Sequence, residues 1–286
     1  MKVLVLGKTG MAGHVVYEYL KSSGKFDVFG TSRQKDSGDV HVDILSDCII
    51  LESEAARSFD YVINCIGTLI KESQQYPTRA ILINAWFPHY LEECFKNTNT
   101  KVIHISTDCV FSGKSGFYNE KAIPDETNFY GRSKALGEIV NEKDLTLRTS
   151  IIGPELKDGE GLFHWFMSLK EGEEIKGNVN AFWNGITTLD LAKAIEKIML
   201  EEKNLVGLYH LVPRIAISKC NLLETINQVF ERKIVIKPFR LPVSSNKVLM
   251  NNRTEFKFMF MDYHDALVAL KQWIYQHGFE EYSKYR

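Results

Sequence analysis

The sequence predicts a doubly wound α/β fold, in which a parallel sheet carries helices on both faces. Through the first half of the chain, short apolar runs alternate with segments of helical periodicity. Continuous apolar strands separated by helices are typical of a parallel sheet that is buried on both sides. A glycine-punctuated turn at Gly7, Gly10 and Gly13 follows the first apolar run, as in the Rossmann type of this fold.

The first half of the chain should contain six strands and at least three helices. The strands are predicted at Val3–Leu6, Asp27–Thr31, Val40–Ile44, Tyr61–Ile66, Lys101–Ser106 and Leu145–Thr149. The helices are predicted at Met11–Ser22, Arg79–Lys96 and Phe129–Asn141. We therefore expect a Rossmann-type cofactor-binding domain over residues 1–152.

The regular alternation stops after Gly153-Pro154. Helices are predicted at Leu162–Leu169, Leu189–Met199, Ser218–Phe230 and His264–His277, and strands at Leu208–Val212 and Ile234–Lys237. We expect residues 153–286 to form a smaller, mixed α/β substrate-binding lobe. Segments near residues 186–212 should return to the first domain.

Bulk composition excludes several classes of function. The 286 residues include 35 basic and 36 acidic side chains, a balance that argues against a nucleic-acid or membrane-surface partner. Five cysteines without a CxxC pair suit a reducing cytoplasm. No apolar run is long enough for a signal peptide or a membrane span. The histidines lack metal-ligand spacing, so no metal site is predicted.

The glycine turn predicts a dinucleotide-binding loop. Gly7, Gly10 and Gly13 have GxxGxxG spacing, a variant of the common GxGxxG pattern. Glycine lets the backbone approach a pyrophosphate, whose charge is favoured at a helix N-terminus. Thr9 and Met11 lie within the same loop and are expected to contact the cofactor. A plain strand-to-helix turn would also use glycine, so the residues further along the chain must decide.

The ends of the next strands carry further candidates for cofactor binding. After the second strand, Ser32 and Arg33 stand where NAD-binding proteins have an acidic residue. Arg33 can instead pair with the 2′-phosphate of NADP, although a surface arginine is the alternative. Asp43 could contact the adenine. In Asn64-Cys65-Ile-Gly67 the backbone is expected to come close to the dinucleotide.

A tyrosine and a lysine four residues apart carry the predicted chemistry. Tyr130 and Lys134 would share one face of a helix, and the ammonium would favour the phenolate by charge. Ser106 and Thr107 end the fifth strand, where a hydroxyl can bond a substrate carbonyl oxygen. With the glycine loop, these residues predict a nicotinamide-dependent enzyme that moves a hydride and a proton on one carbon–oxygen bond.

These motifs resemble those of the extended short-chain dehydrogenase/reductases, and within them the dTDP-4-dehydrorhamnose reductase group. Besides the glycine loop, the matching segments are Asn64-Cys-Ile-Gly67, Ile83-Asn84-Ala85, Ile105-Ser-Thr-Asp-Cys-Val-Phe111-Ser-Gly113, Tyr130-Gly-Arg-Ser-Lys134-Ala-Leu-Gly-Glu138, Leu147-Arg-Thr-Ser150 and Gly185-Ile-Thr-Thr188. They span most of the chain.

The resemblance implies a reaction and roles for individual residues. Tyr130 would donate the proton, Lys134 would hold the nicotinamide ribose and lower the tyrosine pKa, and Thr107 would orient the keto oxygen. Asn84 and Ser106 would lie at the cofactor. The implied reaction reduces a 4-keto-6-deoxy sugar on a nucleoside diphosphate, in bacterial surface-polysaccharide synthesis, with NADPH as hydride donor and NADH as the alternative.

Two departures from the family pattern concern the sugar side of the site. The rhamnose enzymes usually have tyrosine at Cys109 and tryptophan at Ile151, which suggests a different sugar, such as a bulkier 2-acetamido-2,6-dideoxy-4-keto hexose on UDP. Asp108 should also face the substrate. Further pocket residues, which could equally be core, are His164, Trp165, Trp183 and Asn184. Arg240 and Arg253 could meet a diphosphate or remain surface charges.

Two other functions stay open at this stage. One is a nucleotide-sugar epimerase with tightly held NAD, against which Arg33 argues. The other is a cofactor-binding regulatory subunit without turnover, which has no need of Thr107, Tyr130 and Lys134 together. The resemblance also leaves room for a homodimer, and it does not define the sugar, the base or the C4 stereochemistry.

Overall fold

The structure is a computed structural model that describes residues 1–33, 40–45, 51, 58–157 and 159–286. A parallel sheet forms its centre. The strands are β1 (Lys2–Leu6), β2 (Asp27–Ser32), β3 (Val40–His41), β4 (Tyr61–Asn64), β5 (Lys101–Thr107), β6 (Leu145–Thr149) and β11 (Gly207–His210), in the order β11-β6-β5-β4-β1-β2-β3. The predicted doubly wound α/β class is confirmed.

Alternate side chains of the strands enter two different cores. Val5, Ile63 and Ile103 lie in register across β1, β4 and β5 and are buried in one apolar cluster. Their neighbours Leu4 and Val62 point to the other face and belong to a second cluster. Because both faces are covered, the strands are apolar throughout rather than alternating.

The helices that flank the sheet begin and end close to their predicted limits in most cases. They are α1 (Met11–Ser22), α2 (Ile70–Gln75), α3 (Pro77–Ala80), α4 (Phe87–Phe95), α5 (Phe129–Leu136), α6 (Leu162–Ser168), α7 (Thr188–Glu201), α8 (Lys219–Val229) and α9 (Tyr263–Gln276). Helix α2 was not predicted. The third strand is shorter than the predicted Val40–Ile44, and the fourth ends two residues before the predicted Ile66.

The predicted helix at Arg79–Lys96 contains a widened turn. Between α3 and α4 the residues Ile81–Trp86 form a π-helical segment, which is frequently found at functional sites. Helix α5 packs against it and stops at Leu136 instead of the predicted Asn141. Gly137 caps α5 at the point of closest approach, where a Cβ would lie 1.9 Å from the Asn84 carbonyl oxygen.

The chain returns to the main sheet late in the sequence. Strand β11 pairs in parallel with β6, so that Tyr209 lies beside Leu147 and His210 beside Arg148. Helix α7 packs against α1 on one face of the sheet. The same apolar cluster includes Val3 of β1 and Trp273 of α9. The boundary at residue 152 stays a prediction.

The second half also contains seven short strands within the described residues. Only one of them, at Ile234–Lys237, was predicted. They pair as β7 (Ile151–Ile152) with β10 (Ile186–Thr187), as β8 (Glu174–Asn178) with β13 (Val235–Phe239), and as β9 (Ala181–Trp183) with β12 (Ile217–Ser218) and β14 (Ser245–Asn246). Within the described ranges, no helix combines the length and apolar character that crossing a bilayer requires.

We expect Gly137→Ala to destabilise the protein, because its Cβ would overlap the Asn84 carbonyl oxygen. The backbone of Gly137 has φ −92°, which alanine adopts freely, so steric overlap is the only cost. Overpacking of this kind costs about 1–3 kcal/mol. Thermal unfolding of both variants measures the effect against Gly278→Ala, whose Cβ would meet nothing within 4 Å. Equal midpoints for the two variants would contradict the close packing of α5.

Candidate active site

A cleft of about 470 Å³ opens at the carboxyl ends of the central strands. This edge of a doubly wound sheet is where ligands bind in such folds, and the volume suits a small-molecule site. The predicted residues that line it are Thr9, Gly10, Met11, Arg33, Cys65, Gly67, Ser106, Thr107, Cys109, Tyr130, Lys134 and Ile151. The structure therefore brings most of the predicted cofactor loop and all three predicted catalytic residues to one cleft.

The glycine turn at one end of the cleft is tightly folded. Gly7 has φ +78°, a left-handed conformation that favours glycine. A Cβ on Gly13 would lie 2.1 Å from the Gly7 carbonyl oxygen, so α1 can approach β1 only with glycine there. The backbone N–H of Gly7 donates to the Thr31 hydroxyl at 3.1 Å. Gly7 and Gly13 thus shape the loop from behind, while Thr9, Gly10 and Met11 face the cleft.

Three residues at the ends of β2 and β3 were predicted to contact the cofactor, and one of them lines the cleft. Arg33 is exposed and lines the cleft beside the glycine turn. Ser32 is buried at the end of β2. Asp43 is half-buried outside the cleft lining, where a carboxylate oxygen accepts the Leu45 backbone N–H at 3.1 Å.

Two predicted asparagines are fully buried and act behind the cleft surface. Asn64 accepts the Ile66 backbone N–H at 3.1 Å and so shapes the turn after β4. Asn84 accepts the Thr68 backbone N–H at 2.9 Å and donates to Ser133 of α5 at 3.1 Å. Neither amide lines the cleft among the described residues. They hold the wall that Gly67, itself exposed, presents to it.

The catalytic candidates form one hydrogen-bonded group. The Thr107 hydroxyl accepts the Cys109 backbone N–H at 3.1 Å and donates to the Asp108 carboxylate at 3.3 Å. A further hydrogen bond joins Thr107 to Tyr130, where it opposes the larger effect of burial on the phenol. Asp108 is buried behind Thr107 and outside the cleft lining. It therefore orients Thr107 rather than facing a substrate directly.

Burial moves the pKa values of Tyr130 and Lys134 in opposite directions. Removal from water raises the pKa of the Tyr130 phenol, because the phenolate loses hydration. The same cause lowers the pKa of Lys134 to about 8, although Glu138 and Cys65 oppose it. Lys134 Nζ donates to the Ile105 carbonyl oxygen at 2.7 Å. Burial dominates the pKa of Tyr130, and the lowering of that pKa by Lys134 that the resemblance implies stays a prediction.

A buried ion pair anchors the end of α5. Arg148 of β6 donates two hydrogen bonds to Glu138, at 2.8 and 2.5 Å, and a third N–H lies 2.9 Å from His210 Nε2. The Ser106 hydroxyl donates to the same carboxylate at 2.6 Å. Although Ser106 borders the cleft, its hydroxyl is committed to this network rather than to a cofactor.

The two positions that depart from the reductase pattern do lie on the cleft wall. Cys109 and Ile151 line it together with Ser150, next to Thr107. Burial raises the pKa of the Cys109 thiol to about 12, and Asp108 adds to the effect. Burial likewise raises the pKa of the Cys65 thiol to about 12. Both thiols are therefore neutral near pH 7 and act as small apolar surfaces.

Six residues that were predicted to contact the substrate are absent from the cleft lining, as far as the described residues define it. His164 is buried against Tyr285, Asn184 bonds the backbone at Pro213 and Leu249, and Trp183 packs under Lys219. Trp165 is partly exposed on α6, Arg240 is exposed, and Arg253 donates to the Val206 and Leu208 carbonyls. His164, Trp183 and Asn184 are core, the alternative that the sequence had left open.

Other cleft residues carried no sequence signal that we recognised. Glu155 is a buried carboxyl on the cleft wall that accepts the Gly161 backbone N–H at 2.9 Å. Glu160 accepts the Lys71 backbone N–H at 3.3 Å, which joins opposite walls at the mouth. Lys219 and Lys247 act electrostatically on buried Asp108 from the second half of the chain. Glu155, Glu160 and Lys247 come from loops and Lys219 begins α8, so no periodicity marks them.

The comparisons with known proteins agree with this arrangement. The family model described as RmlD substrate binding domain matches residues 1–253. The chain belongs to this RmlD family. The match covers the glycine loop, the cleft and the Tyr130–Lys134 pair within one continuous alignment.

Several curated proteins resemble this RmlD-family chain. It is 26% identical over 220 residues to a dTDP-4-dehydrorhamnose reductase of Aggregatibacter actinomycetemcomitans, covering 73% of this chain and 72% of that protein. It is 29% identical over 244 residues to a probable low-salt glycan biosynthesis reductase of Haloferax volcanii, covering 80% of each. A shorter match, 31% identical, covers 48% of this chain and 41% of the methionine adenosyltransferase 2 subunit beta of Xenopus laevis.

Solved structures confirm the RmlD-type fold. A dTDP-4-dehydrorhamnose reductase of Clostridium acetobutylicum superposes with a TM-score of 0.79 at 23% identity, covering 96% of this chain and all of that one. The Bacillus anthracis reductase in complex with NADP superposes with a TM-score of 0.78 at 23% identity, covering 94% and 98%.

We expect removal of one partner of the Glu138–Arg148 pair to lower the free energy of unfolding strongly, and replacement of both partners by apolar residues to lower it less. Glu138→Leu or Arg148→Met leaves one buried charge without its partner, and such changes cost about 3–5 kcal/mol. The double variant Glu138→Leu/Arg148→Met leaves neither charge and should be less destabilised than the sum of the singles. Thermal unfolding of all three variants measures this. Strict additivity would show that the pair is not coupled.

Proposed function

We propose that the protein is an NADPH-dependent reductase of a nucleoside-diphosphate-linked 4-keto-6-deoxyhexose, which serves surface-polysaccharide synthesis. One observation carries the proposal: a single cleft holds the glycine turn at one end and Thr107, Tyr130 and Lys134 at the other. Relatives named dTDP-4-dehydrorhamnose reductase support it across about three quarters of the chain. The dTDP-4-keto-6-deoxy-D-glucose reductase of Streptomyces niveus, 26% identical, is a further relative.

The residues of the glycine turn fit a dinucleotide. Close packing of Gly13 against Gly7 brings the first turn of α1 to the cleft, where its unpaired N–H groups suit a pyrophosphate. Arg33 stands at the rim as the cation for a 2′-phosphate. When bound, the nicotinamide supplies the hydride. Lys134 would hold the ribose, and the chain's remaining task is to place and protonate the substrate.

Tyr130 is suited to the role of general acid. Because burial raises its pKa, the phenol stays protonated near pH 7 and has a proton to give. In the proposed reaction its O–H bond breaks as the carbonyl oxygen of the substrate gains the proton and becomes a hydroxyl. Thr107, whose oxygen is held by the Cys109 backbone N–H, can turn its hydroxyl hydrogen from Asp108 to that substrate oxygen and so place it beside Tyr130.

The sugar-facing wall supports a substrate other than the rhamnose precursor. Cys109 and Ile151 line the cleft where the resemblance expects tyrosine and tryptophan, and both are smaller. Removing two large side chains makes room for a larger substituent, such as a 2-acetamido group on a UDP-linked 4-keto hexose. Lys219 and Lys247, close enough to act on Asp108, add positive charge behind this wall.

Oxidation of NADPH, followed by its absorbance, tests the function. The panel contains dTDP-4-keto-6-deoxyglucose, dTDP-4-dehydrorhamnose and UDP-linked 2-acetamido-4-keto sugars, with NADH as the cofactor control. Consumption with one member supports the reductase, and preference for a UDP-linked sugar supports the reading of the cleft wall. Silence across the panel despite NADPH binding would overturn the assignment.

One further function, a cofactor-binding subunit, has a specific observation in its favour, and an epimerase is the other alternative to test. The match to methionine adenosyltransferase 2 subunit beta supports a cofactor-binding subunit, which would bind NADPH without turnover. Similarity to epimerase structures with NAD, such as one from Bacillus cereus at 18% identity and a TM-score of 0.74, reflects the shared fold. Isomerisation of a sugar nucleotide without net NADPH loss would identify an epimerase.

We also propose a cytoplasmic location and retain a homodimer as the expected assembly. Among the described residues, Cys65, Cys109 and Cys220 form no disulfide, in keeping with a reducing compartment. Nucleotide sugars and NADPH are both supplied there.

We expect Tyr130→Phe to retain NADPH binding and to lose on the order of 10²-fold or more in turnover, since the general acid is removed. The ring remains, so the cleft keeps its shape. Turnover is measured with the active panel member and binding by fluorescence of the reduced cofactor. Tyr76→Phe, a change on an exposed ring outside the cleft lining, is the matched control. Full activity of Tyr130→Phe would remove it from the reaction.

We expect Arg33→Ala to weaken NADPH by roughly 10-fold or more and to leave NADH nearly unchanged, because a charge-assisted bond to the phosphate is lost. Dissociation constants for both cofactors measure the selectivity. Exposed Arg214, outside the cleft lining, gives the matched variant Arg214→Ala. If both cofactors weakened equally, Arg33 would not be the 2′-phosphate ligand.

A further inference from the structure

A fully buried histidine lies behind the lysine of the site. His104 is on β5, two residues before Ser106, with no exposed surface. Its Nε2 lies 3.4 Å from Lys134 Nζ. Its Nδ1 lies 3.1 Å from Asn64 Nδ2. Asn64, His104 and Lys134 therefore form a continuous chain from β4 to α5.

The backbone fixes the direction of the hydrogen bonds in this chain. The Ile66 N–H donates to Asn64 Oδ1 at 3.1 Å, so the amide nitrogen of Asn64 must face His104. An amide nitrogen only donates, so Nδ1 of His104 must accept. Burial, with Lys134 and His89 adding to it, holds the pKa of His104 well below its usual value, so the ring is neutral. Its one proton is then on Nε2, directed at Lys134.

An N–H group directed at Lys134 distinguishes between the two forms of the lysine. An ammonium has donors only, so it repels the Nε2–H group of His104. A neutral amine has a lone pair that can accept from it. The ammonium's hydrogen bond to the Ile105 carbonyl oxygen does not depend on His104. The imidazole thus favours the neutral lysine without touching a substrate.

We propose that His104 is a positioning residue whose Nε2–H group stabilises the neutral amine of Lys134, so that Lys134 can return a proton to Tyr130 after each reduction. In this step a Lys134 N–H bond breaks and the Tyr130 O–H bond forms, which converts phenolate and ammonium into phenol and amine. Lys134 then takes a proton from water. The proposal rests on the proposed reductase function for its role in turnover.

The other ionisable groups around Lys134 define what His104 must overcome. The Glu138 carboxylate after α5 favours the ammonium, and Cys65 after β4 does so only as a thiolate. Glu138 is engaged by Arg148 and Ser106, which spreads its charge. Burial nevertheless brings the lysine pKa to about 8.

Competitive labelling with acetic anhydride tests the proposal without any substrate. Only the neutral amine reacts, so the labelling rate of Lys134 rises with pH through its pKa, and mass spectrometry of its peptide reports the midpoint. We expect a midpoint near 8 in the unmodified protein, from the burial of the amine. His104→Phe keeps the ring but lacks the N–H, and its midpoint should rise by at least about half a pH unit.

A matched variant separates the donor from the packing. In His104→Gln the side-chain oxygen can accept from Asn64 and the amide nitrogen can donate to Lys134, the same polarity as the histidine. We expect its midpoint to stay near that of the unmodified protein. If His104→Phe folds and its midpoint is unchanged, or if both variants shift alike, the proposal is overturned.

The histidine tautomer can also be read in the unmodified protein, should His104→Phe not fold. Imidazole ¹⁵N NMR distinguishes a proton on Nε2, which supports the proposal, from one on Nδ1, which overturns it. Neither measurement requires turnover, so inactivity on the sugar panel would refute the reductase function and leave this result standing. With an active substrate, the alkaline limb of the pH–rate profile should shift to higher pH in His104→Phe and keep its position in His104→Gln.

Discussion

The buried ion pair between Glu138 and Arg148 is the contact on which the site depends. It joins the end of α5 to β6, and through Ser106 and His210 it reaches β5 and β11. A buried charge pair is stable only when its remaining polar atoms are also bonded, and here the carboxylate receives three hydrogen bonds. The helix that carries Tyr130 and Lys134 is thereby fixed to three strands of the sheet.

Burial of the ionisable side chains sets their protonation in the cleft. A free tyrosine phenol and a free lysine ammonium have similar pKa values, but burial raises the pKa of Tyr130 and lowers the pKa of Lys134. The phenol therefore holds its proton until a substrate oxygen demands it, and the lysine gives one up easily. Cys65 and Cys109, kept neutral by the same burial, add surface without charge.

The sequence was most informative where backbone geometry or chemistry leaves few choices. Gly7 was predictable because its φ of +78° favours glycine, and Gly13 because a Cβ there would collide with the Gly7 carbonyl oxygen. The spacing of Tyr130 and Lys134 follows from the helix period. Asn184 and Trp183 could be placed in either the pocket or the core, since a polar amide that binds backbone and an aromatic ring in a core look the same in sequence as pocket residues.

Other parts could not be predicted because nothing local encodes them. The short strands β9, β12 and β14 are two or three residues long and exist only through pairing with distant segments, Trp183 with Ile217 and Ala181 with Ser245. His104 lies in an apolar run and resembles any buried histidine until Asn64 and Lys134 are seen beside it. The role of the Glu138 carboxylate likewise needs Arg148 and Ser106 to be in place.

The late return of the chain to the sheet has a consequence for how the protein can be divided. Strand β11 covers the side of β6 that would otherwise be a sheet edge, and His210 approaches Arg148 there. A fragment ending near residue 152 would leave the backbone of β6 unpaired on that side, next to a buried arginine missing a neighbour. Unpaired edges recruit other chains. The cofactor half, taken alone, would therefore tend to associate with itself instead of behaving as an independent binding module.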